Sequence, residues 1–188
     1  TVSLSGRIDF NKHSQSANIK IASRTGNIGI AAKAQNWNRI SGQIKSDRLK
    51  LNHLLADNGR HALEEVSFKV DINGELHDKN NRLAMNVATT LPHLIISGRE
   101  YSDMHLSANI GNNSIALDLS AEDMEGTLEA KLNWKKSDLH RLYGTIDLKD
   151  MQMERLGFGT RYADRLLSFC TELDLRGSNP DNVAGTID

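Results

Sequence analysis

The chain has 188 residues, of which 23 are basic and 24 acidic, so its formal net charge is −1. This balance excludes a strong long-range attraction to nucleic acid. An aromatic content of 5% argues against a platform on which bases or sugars stack, while a hydrophobic content of 38% over this length allows a folded domain with an aliphatic core.

A recurring Gly-x-Ile phrase organises the chain. Its four copies begin at Gly6, Gly42, Gly144 and Gly185, and period-2 alternation follows them, so we interpret the phrase as a strand start. Residues 42–54 and 144–156 share one pattern over thirteen positions, G-x-I-x-x-x-x-[LM]-x-[LM]-x-x-L. Because the last copy runs to Asp188, we expect a longer repetitive array whose repeats cover each other's edges. We predict that residues 1–188 are one segment of it, with no internal domain boundary.

Strand-like alternation continues along the whole chain. In chain order, the alternating segments are 17–21, 28–34, 66–72, 83–87, 104–110, 115–119, 128–134 and 173–175. Short connectors rich in Gly, Asn, Asp and Ser join them, such as Thr25-Gly26-Asn27 and Gly111-Asn112-Asn113, and these are hairpin residues. Short turns join antiparallel neighbours, and one polar face per strand argues against a doubly covered parallel sheet.

Two stretches, 48–61 and 151–169, break the alternation. Within the second, Tyr162–Ser168 is the best helix candidate, and Gly157-Phe158-Gly159 before it is a flexible entry. The sequence therefore predicts a mainly all-β fold, a long antiparallel meander with at most one or two short helices.

Catalytic and metal-binding chemistry has no clear residues to use. The seven histidines form no H-x-x-x-H or H-x-H pair, so we expect them on solvated surfaces and predict no metal site. The acidic cluster 122–125 is interpreted as a solvated turn. The lone Cys170 excludes an internal disulfide and favours a small buried hydrophobe over a nucleophile. With no Walker, Rossmann, zincin or G-x-S-x-G pattern, we predict no enzyme activity and no cofactor.

The aliphatic face of each strand must be buried against something. A second sheet, closure of the sheet on itself and a foreign apolar ligand are three possible covers, and periodicity does not choose between them. The residues that we predict to line an apolar groove for lipid are Val66, Phe68, Val70, Ile72, Leu83, Met85, Val87, Met104, Leu106, Ile110, Ile115, Leu117, Leu119, Leu128, Leu132, Ile146, Leu148, Leu173 and Leu175.

Three phrases carry a resemblance to a known family. They are SGREYSDMHL (97–106), GTIDLKDMQMERLG (144–157) and LDLRGSNPDNVAGTID (173–188). They resemble the repeated strand units of the AsmA-like superfamily and, within it, of the TamB-type proteins of diderm bacteria. Most of the chain is similar to these proteins in pattern more than in identity.

The resemblance implies a U-shaped, half-open β-sheet, the β-taco, with an apolar groove. It implies a periplasmic segment of an inner-membrane-anchored protein that shields phospholipid acyl chains in transport between the inner and outer membranes. An alternative is a scaffold for the assembly of outer-membrane β-barrel proteins, with a BamA-like partner docked through regions outside this chain. A compact periplasmic β-sandwich that binds a small ligand is a second alternative. The family has no catalytic residue to carry over.

Overall fold

The computed structural model describes residues 2–51, 63–77, 82–96, 98–123, 126–154, 161, 164–178 and 182–188. The chain forms two compact units, unit 1 (Thr1–Asp103) and unit 2 (Met104–Asp188). No α-helix is present within the described residues. The strand β7 (Arg99–Gly111) runs through the division between the units, and the expectation of one segment without an internal boundary stays a prediction.

The other strands, numbered in chain order, are β1 (Val2–Phe10), β2 (Ser14–Ser23), β3 (Gly26–Gln35), β4 (Arg39–Lys50), β5 (Leu63–Glu75), β6 (Ala84–Ile96), β8 (Ser114–Asp123), β9 (Gly126–Lys135), β10 (His140–Gln152), β11 (Leu166–Gly177) and β12 (Val183–Ile187). They form one sheet in which each strand lies beside its sequence neighbours. The predicted all-β antiparallel meander is confirmed. The sheet is not closed into a barrel, since in the described part of the chain β1 pairs only with β2 and β12 only with β11.

The register of unit 1 places its apolar side chains on one face. Ile19 pairs with Ile30, Ile30 with Ile44, and Ile44 with Val70. Residues directly opposite share a face, and side chains two apart along a strand do so too. The intervening residues, such as Lys20 beside Ile19, therefore form a polar face on the other side of the sheet.

Unit 2 follows the same rule. Leu117 of β8 pairs with Leu132 of β9, and Leu132 pairs with Gly144 of β10. Gly144 in turn pairs with Leu173 of β11. The alternation that the sequence shows is therefore kept in phase from strand to strand within this unit.

The glycines of the recurring phrase lie inside strands, so their interpretation as strand starts was wrong. Gly144, for example, is the fifth residue of β10. It has a φ of 155°, and a Cβ there would lie 2.9 Å from the Cα of Leu132. A glycine within a strand often marks such a close approach of the neighbouring backbone. At Gly144 the two neighbouring strands therefore need a residue without a side chain.

The thirteen-position match corresponds to the same β-bulge in both units. The register shifts between Ser46 and Leu49 in β4, and between Leu148 and Met151 in β10. Within these intervals Arg48 has a φ of 48°, and Asp150, the matching position of the second copy, has a φ of 51°. An extra residue with positive φ bends the strand and is a standard way to build a bulge.

A serine of the next strand holds each bulge. The backbone N–H of Arg48 donates to Ser67 Oγ over 2.9 Å, and that of Asp150 donates to Ser168 Oγ over 2.8 Å. The first break that the sequence shows, at residue 48, is thus a bulge within a strand, and residues 52–62 lie outside the described residues.

The predicted helix at Tyr162–Ser168 is wrong where the structure describes it. Leu166, Leu167 and Ser168 belong to β11, and Leu167 pairs with Met151 beyond the bulge. Tyr162 and Ala163 lie outside the described residues. Two adjacent leucines fit this strand because Leu166 is exposed while Leu167 faces the buried Met151.

Gly126→Ala is predicted to destabilise unit 2. Gly126 has a φ of 151°, and a Cβ there would lie 2.7 Å from the Cα of the buried Met151. We expect the free energy of unfolding to fall by about 2–4 kcal/mol, because both the strained φ and the overlap must be relieved. Urea unfolding of the variant and of the wild-type protein measures the difference.

Gly29→Ala is the matched control for this substitution. It lies in a strand, has no strained φ, and its Cβ would approach Lys45 no closer than 3.6 Å, which is an ordinary van der Waals contact. We expect this change to be neutral or to stabilise by up to about 1 kcal/mol. Equal losses of stability in the two variants would contradict the proposed overlap with the bulge.

Candidate functional site

The candidate site is the apolar face of each unit. The apolar face of unit 1 is formed by Leu4, Ile8, Ile19, Ile21, Ile28, Ile30, Ile40, Ile44, Phe68, Val70, Ile72, Met85 and Val87. The apolar face of unit 2 is formed by Met104, Leu106, Ile110, Ile115, Leu117, Leu119, Leu128, Leu132, Trp134, Leu142, Ile146, Leu148, Phe169, Leu173 and Leu175. Both are almost entirely aliphatic.

Five predicted groove residues of unit 1 lie on its apolar face, namely Phe68, Val70 and Ile72 in β5 and Met85 and Val87 in β6. Val66 pairs with Leu49 beyond the bulge, and Leu83 lies directly before β6. The predicted residues of unit 2, from Met104 to Leu175, all belong to its apolar face. That they line a path for lipid stays a prediction.

The prediction missed the part of unit 1 formed by β1 to β4. Ile19, Ile30 and Ile44 lie in the same cross-strand row as the predicted Val70. Their alternation is as regular as that of β5, so the same signal could have found them. In unit 2 the missed Trp134 pairs with Leu142 and continues the face toward the strand ends.

These faces have few buried side chains. Among the described residues, the buried apolar side chains are Leu49, Val66, Ala130, Leu148 and Met151, and none of the large side chains is fully buried. Four of these five lie next to the two bulges. A packed sandwich core would bury many large aliphatic side chains completely. Apart from the bulge corners, the side chains of each face are covered mainly by their neighbours in the same sheet.

Half-burial extends over most of both faces. Leu117 and Leu132, which pair near the middle of unit 2, are both half-buried. Farther out, the exposed fractions of Leu106 and Phe169 are 37% and 43%. Covering such partly exposed aliphatic surface with another apolar group lowers the free energy of the system.

The polar face of unit 2 is held by an ion-pair cluster. Arg141 Nε and Nη2 donate to Asp174 Oδ1 and Oδ2 over 2.8 and 2.7 Å, and Arg176 Nη2 lies 3.5 Å from Asp174 Oδ2. The Arg141 guanidinium also lies 4.6 Å from the ring centroid of Tyr143. The hydrogen bonds from Arg141, and then the hydrogen bond from Arg176, lower the pKa of Asp174 to about 2, against an opposing effect of partial burial.

The polar face of unit 1 carries similar pairs around a hollow of about 710 Å³. Arg7 lies 2.8 Å from Asp9, and the hydrogen bonds of Lys69 and Gln43 to Asp71 lower the pKa of that carboxyl. The hollow is lined by neither histidine nor cysteine. The two carboxylates of its lining, Asp9 and Asp71, each form an ion pair.

Two histidines and the cysteine depart from expectation. His93 is half-buried, with Nε2 3.2 Å from Glu65 Oε1 and Nδ1 2.9 Å from Glu100 Oε1. His140 is also half-buried and stacks on Trp134. Cys170, expected to be buried, is exposed because it pairs with Asp147 on the polar face. In the described part of the chain, His, Cys, Asp and Glu side chains form no cluster of three or more that could hold a metal ion.

Comparison with protein-family models, with curated proteins and with solved structures gives no match to this chain. The resemblance to the AsmA-like superfamily, the periplasmic location and the BamA-like partner therefore stay predictions. No described helix is both long and apolar enough to cross a membrane.

Asp174 should titrate well below an ordinary aspartate. Its pKa is about 2 in the folded protein, against about 4 in an unfolded chain. A lowered folded pKa contributes stability above the unfolded value, and this contribution is lost as the pH falls from about 4 to about 2. Arg141→Gln should raise the pKa of Asp174 and remove much of this pH dependence.

Carboxyl-carbon NMR titration of Asp174 checks this expectation directly. Lys149→Gln is the control, because Lys149 lies 3.0 Å from Asp147 and has no contact with Asp174. It should leave the Asp174 titration unchanged. A wild-type midpoint near 4 would show that the Arg141 pair does not persist in solution.

Proposed function

We propose that this chain is a non-catalytic segment of a lipid conduit, which shields phospholipid acyl chains from water on its apolar faces. The observation that carries the proposal is the sparse burial of the two aliphatic faces: the described strands all belong to one sheet, and none of their large side chains is fully buried. Of the three possible covers for an aliphatic face that the sequence leaves open, a foreign apolar ligand accounts for sparse burial. An acyl chain is a ligand of matching chemistry.

The energetics support a passive mechanism. Each methylene removed from water contributes about 0.8 kcal/mol, so an acyl chain that is covered over part of its length gains several kcal/mol. The central rows, such as Leu117, Leu132 and Leu173, offer no hydrogen-bonding side chain to hold the lipid at one place. A chain on such a surface can slide without losing directional contacts.

The cellular setting of the proposal comes from the resemblance. It is the periplasm of a diderm bacterium, in an inner-membrane-anchored protein, with transport directed between the inner and outer membranes. A scaffold for outer-membrane β-barrel assembly with a BamA-like partner is the alternative. The sparse burial of large apolar side chains makes the compact sandwich the weakest of the three interpretations.

Leu117→Asp tests the proposal. Leu117 pairs with Leu132 and Ala108 on the apolar face, and it is half-buried. If the face is open to solvent or lipid, the carboxylate stays hydrated and the protein folds, but the charge blocks the acyl chain. We expect an unchanged β-type circular dichroism spectrum and loss of phospholipid in native mass spectrometry of the purified, reloaded protein.

Ala116→Asp is the matched control, because Ala116 precedes Leu117 in the same strand and lies on the polar face, where it pairs with Asn109 and Asn133. It should keep both fold and lipid. Leu132→Glu should behave as Leu117→Asp does. If both apolar-face variants unfold, the face is a dry core in which an unpaired charge costs several kcal/mol, and the proposal is wrong. Delipidated wild-type protein that never takes up phospholipid would favour the scaffold.

A further inference from the structure

We propose that the polar face of unit 1 binds an extended acidic peptide in a groove that runs along its strands. The inference goes beyond the proposed function, because it concerns the side of the sheet opposite the apolar face and needs no lipid. The groove consists of the hollow of about 710 Å³ described above and a second hollow of about 370 Å³. Lys33, Ser41 and Asn73 line both hollows, so the two are continuous.

The strand register gives the length of this polar groove. One end lies at Lys20, which pairs with Gly29, and the other at Arg39, which pairs with Gln35. Because Gly29 and Gln35 lie six residues apart in β3, the groove extends about 20 Å along the strands. An extended peptide covers this length with about six residues. The methyl side chain of Ala31, between the two ends, leaves room for it above the sheet.

Two lysines of the polar groove carry charge that no carboxylate balances. The three carboxylates that line the groove each form an ion pair, namely Asp9 with Arg7, Asp71 with Lys69 and Glu75 with Arg39. Lys20 and Lys33 are exposed, and neither forms an ion pair with a described residue. Their uncompensated charge favours a ligand with negative groups.

The spacing of the two lysines fits a peptide with two separated carboxylates. Lys33 lies four residues beyond Gly29, the partner of Lys20. Their backbones are therefore about 13 Å apart along the strands. Residues four positions apart in an extended peptide are separated by the same distance, and their side chains point to the same side. Acidic residues at such positions reach both lysines at once.

The rest of the lining favours a peptide over other anions. The side-chain amides of Asn18 and Asn73 both donate and accept hydrogen bonds, as does a peptide backbone. Among the described lining residues there is no aromatic ring on which a base or a sugar could stack. The three lining carboxylates repel a ligand that is charged along its whole length, such as nucleic acid, and a flat membrane surface does not reach the floor of a groove.

Fluorescence polarisation with a synthetic peptide tests the inference. The probe is a fluorescein-labelled heptapeptide of serines with glutamates at its second and sixth positions. We expect saturable binding that weakens as salt is added, because the contacts are exposed ion pairs. A peptide with the same two glutamates side by side should bind about threefold more weakly, since it reaches one lysine at a time. A peptide with glutamines in their place should bind least.

Charge variants locate the peptide. Lys20→Gln and Lys33→Gln should each weaken binding about threefold, and the double variant about tenfold. Lys50→Gln is the matched control, because Lys50 is an exposed lysine of β4 that lies beyond the bulge and lines neither hollow. It should change the affinity little. In NMR spectra, the side-chain amide signals of Asn18 and Asn73 should shift when the peptide binds.

The possible outcomes keep this inference separate from the proposed function. Equal affinity for the glutamate and glutamine peptides, or full affinity in the double lysine variant, would show that the groove does not hold an acidic peptide. Tighter binding of a single-stranded oligonucleotide or of phosphatidylglycerol vesicles, lost in the double variant, would make the groove a general polyanion site and refute the peptide. The double variant should keep its phospholipid in native mass spectrometry, so it tests the groove and leaves the conduit untouched.

Discussion

Strand register is the constraint on which the rest of this structure depends. A one-residue slip between any two strands would turn every following aliphatic side chain to the polar face. The rows that begin at Ile19 in unit 1 and at Leu117 in unit 2 show no such slip. The apolar faces exist because the pairing of each strand preserves the phase of the one before it.

The bulges keep apolar side chains on the same face where the alternation in the sequence shifts by one residue. In β4 the apolar face is occupied by even-numbered residues up to Ser46, and then by the odd-numbered Leu49. The same change occurs between Leu148 and Met151 in β10. One extra residue with positive φ resets the alternation, and the resulting corner buries Leu49 and Met151 more deeply than most of the face. The bulges are therefore where each unit gains most of its buried core.

The fold could be predicted from the sequence because alternation and turn residues are local signals. The strands around Val70 and Leu117 were predicted for this reason, and so was the side of the sheet on which they lie. The bulge could not be predicted, because an inserted residue looks in the sequence like a loss of periodicity. Leu166–Ser168 was assigned to a helix because the sequence around it also shows no alternation. Its pairing with β10 across the second bulge is a non-local contact that the sequence does not reveal.

The site was predicted only in part, for a related reason. Aliphatic residues on one face are visible as a pattern, but their burial depends on whether a second layer exists, which periodicity does not report. Cys170 illustrates the point: its residue type suggested burial, whereas its place opposite Asp147 makes it exposed. His140 was assigned to solvent because it adjoins a turn, and its stacking on Trp134 depends on the pairing of β9 with β10.

The polar faces carry exposed ion pairs. Exposed ion pairs such as Arg39–Glu75 and Lys69–Asp71 contribute little net stability. Cross-strand pairs nevertheless favour the register that brings opposite charges together, and thus the same register that aligns the aliphatic rows. If the apolar faces bind lipid as proposed, the separation of polar and apolar faces limits how the protein selects between lipids. The row of Leu117, Leu132 and Leu173 has no hydrogen-bonding side chain and cannot distinguish one acyl chain from another, so discrimination between lipids must take place where polar side chains reach the face.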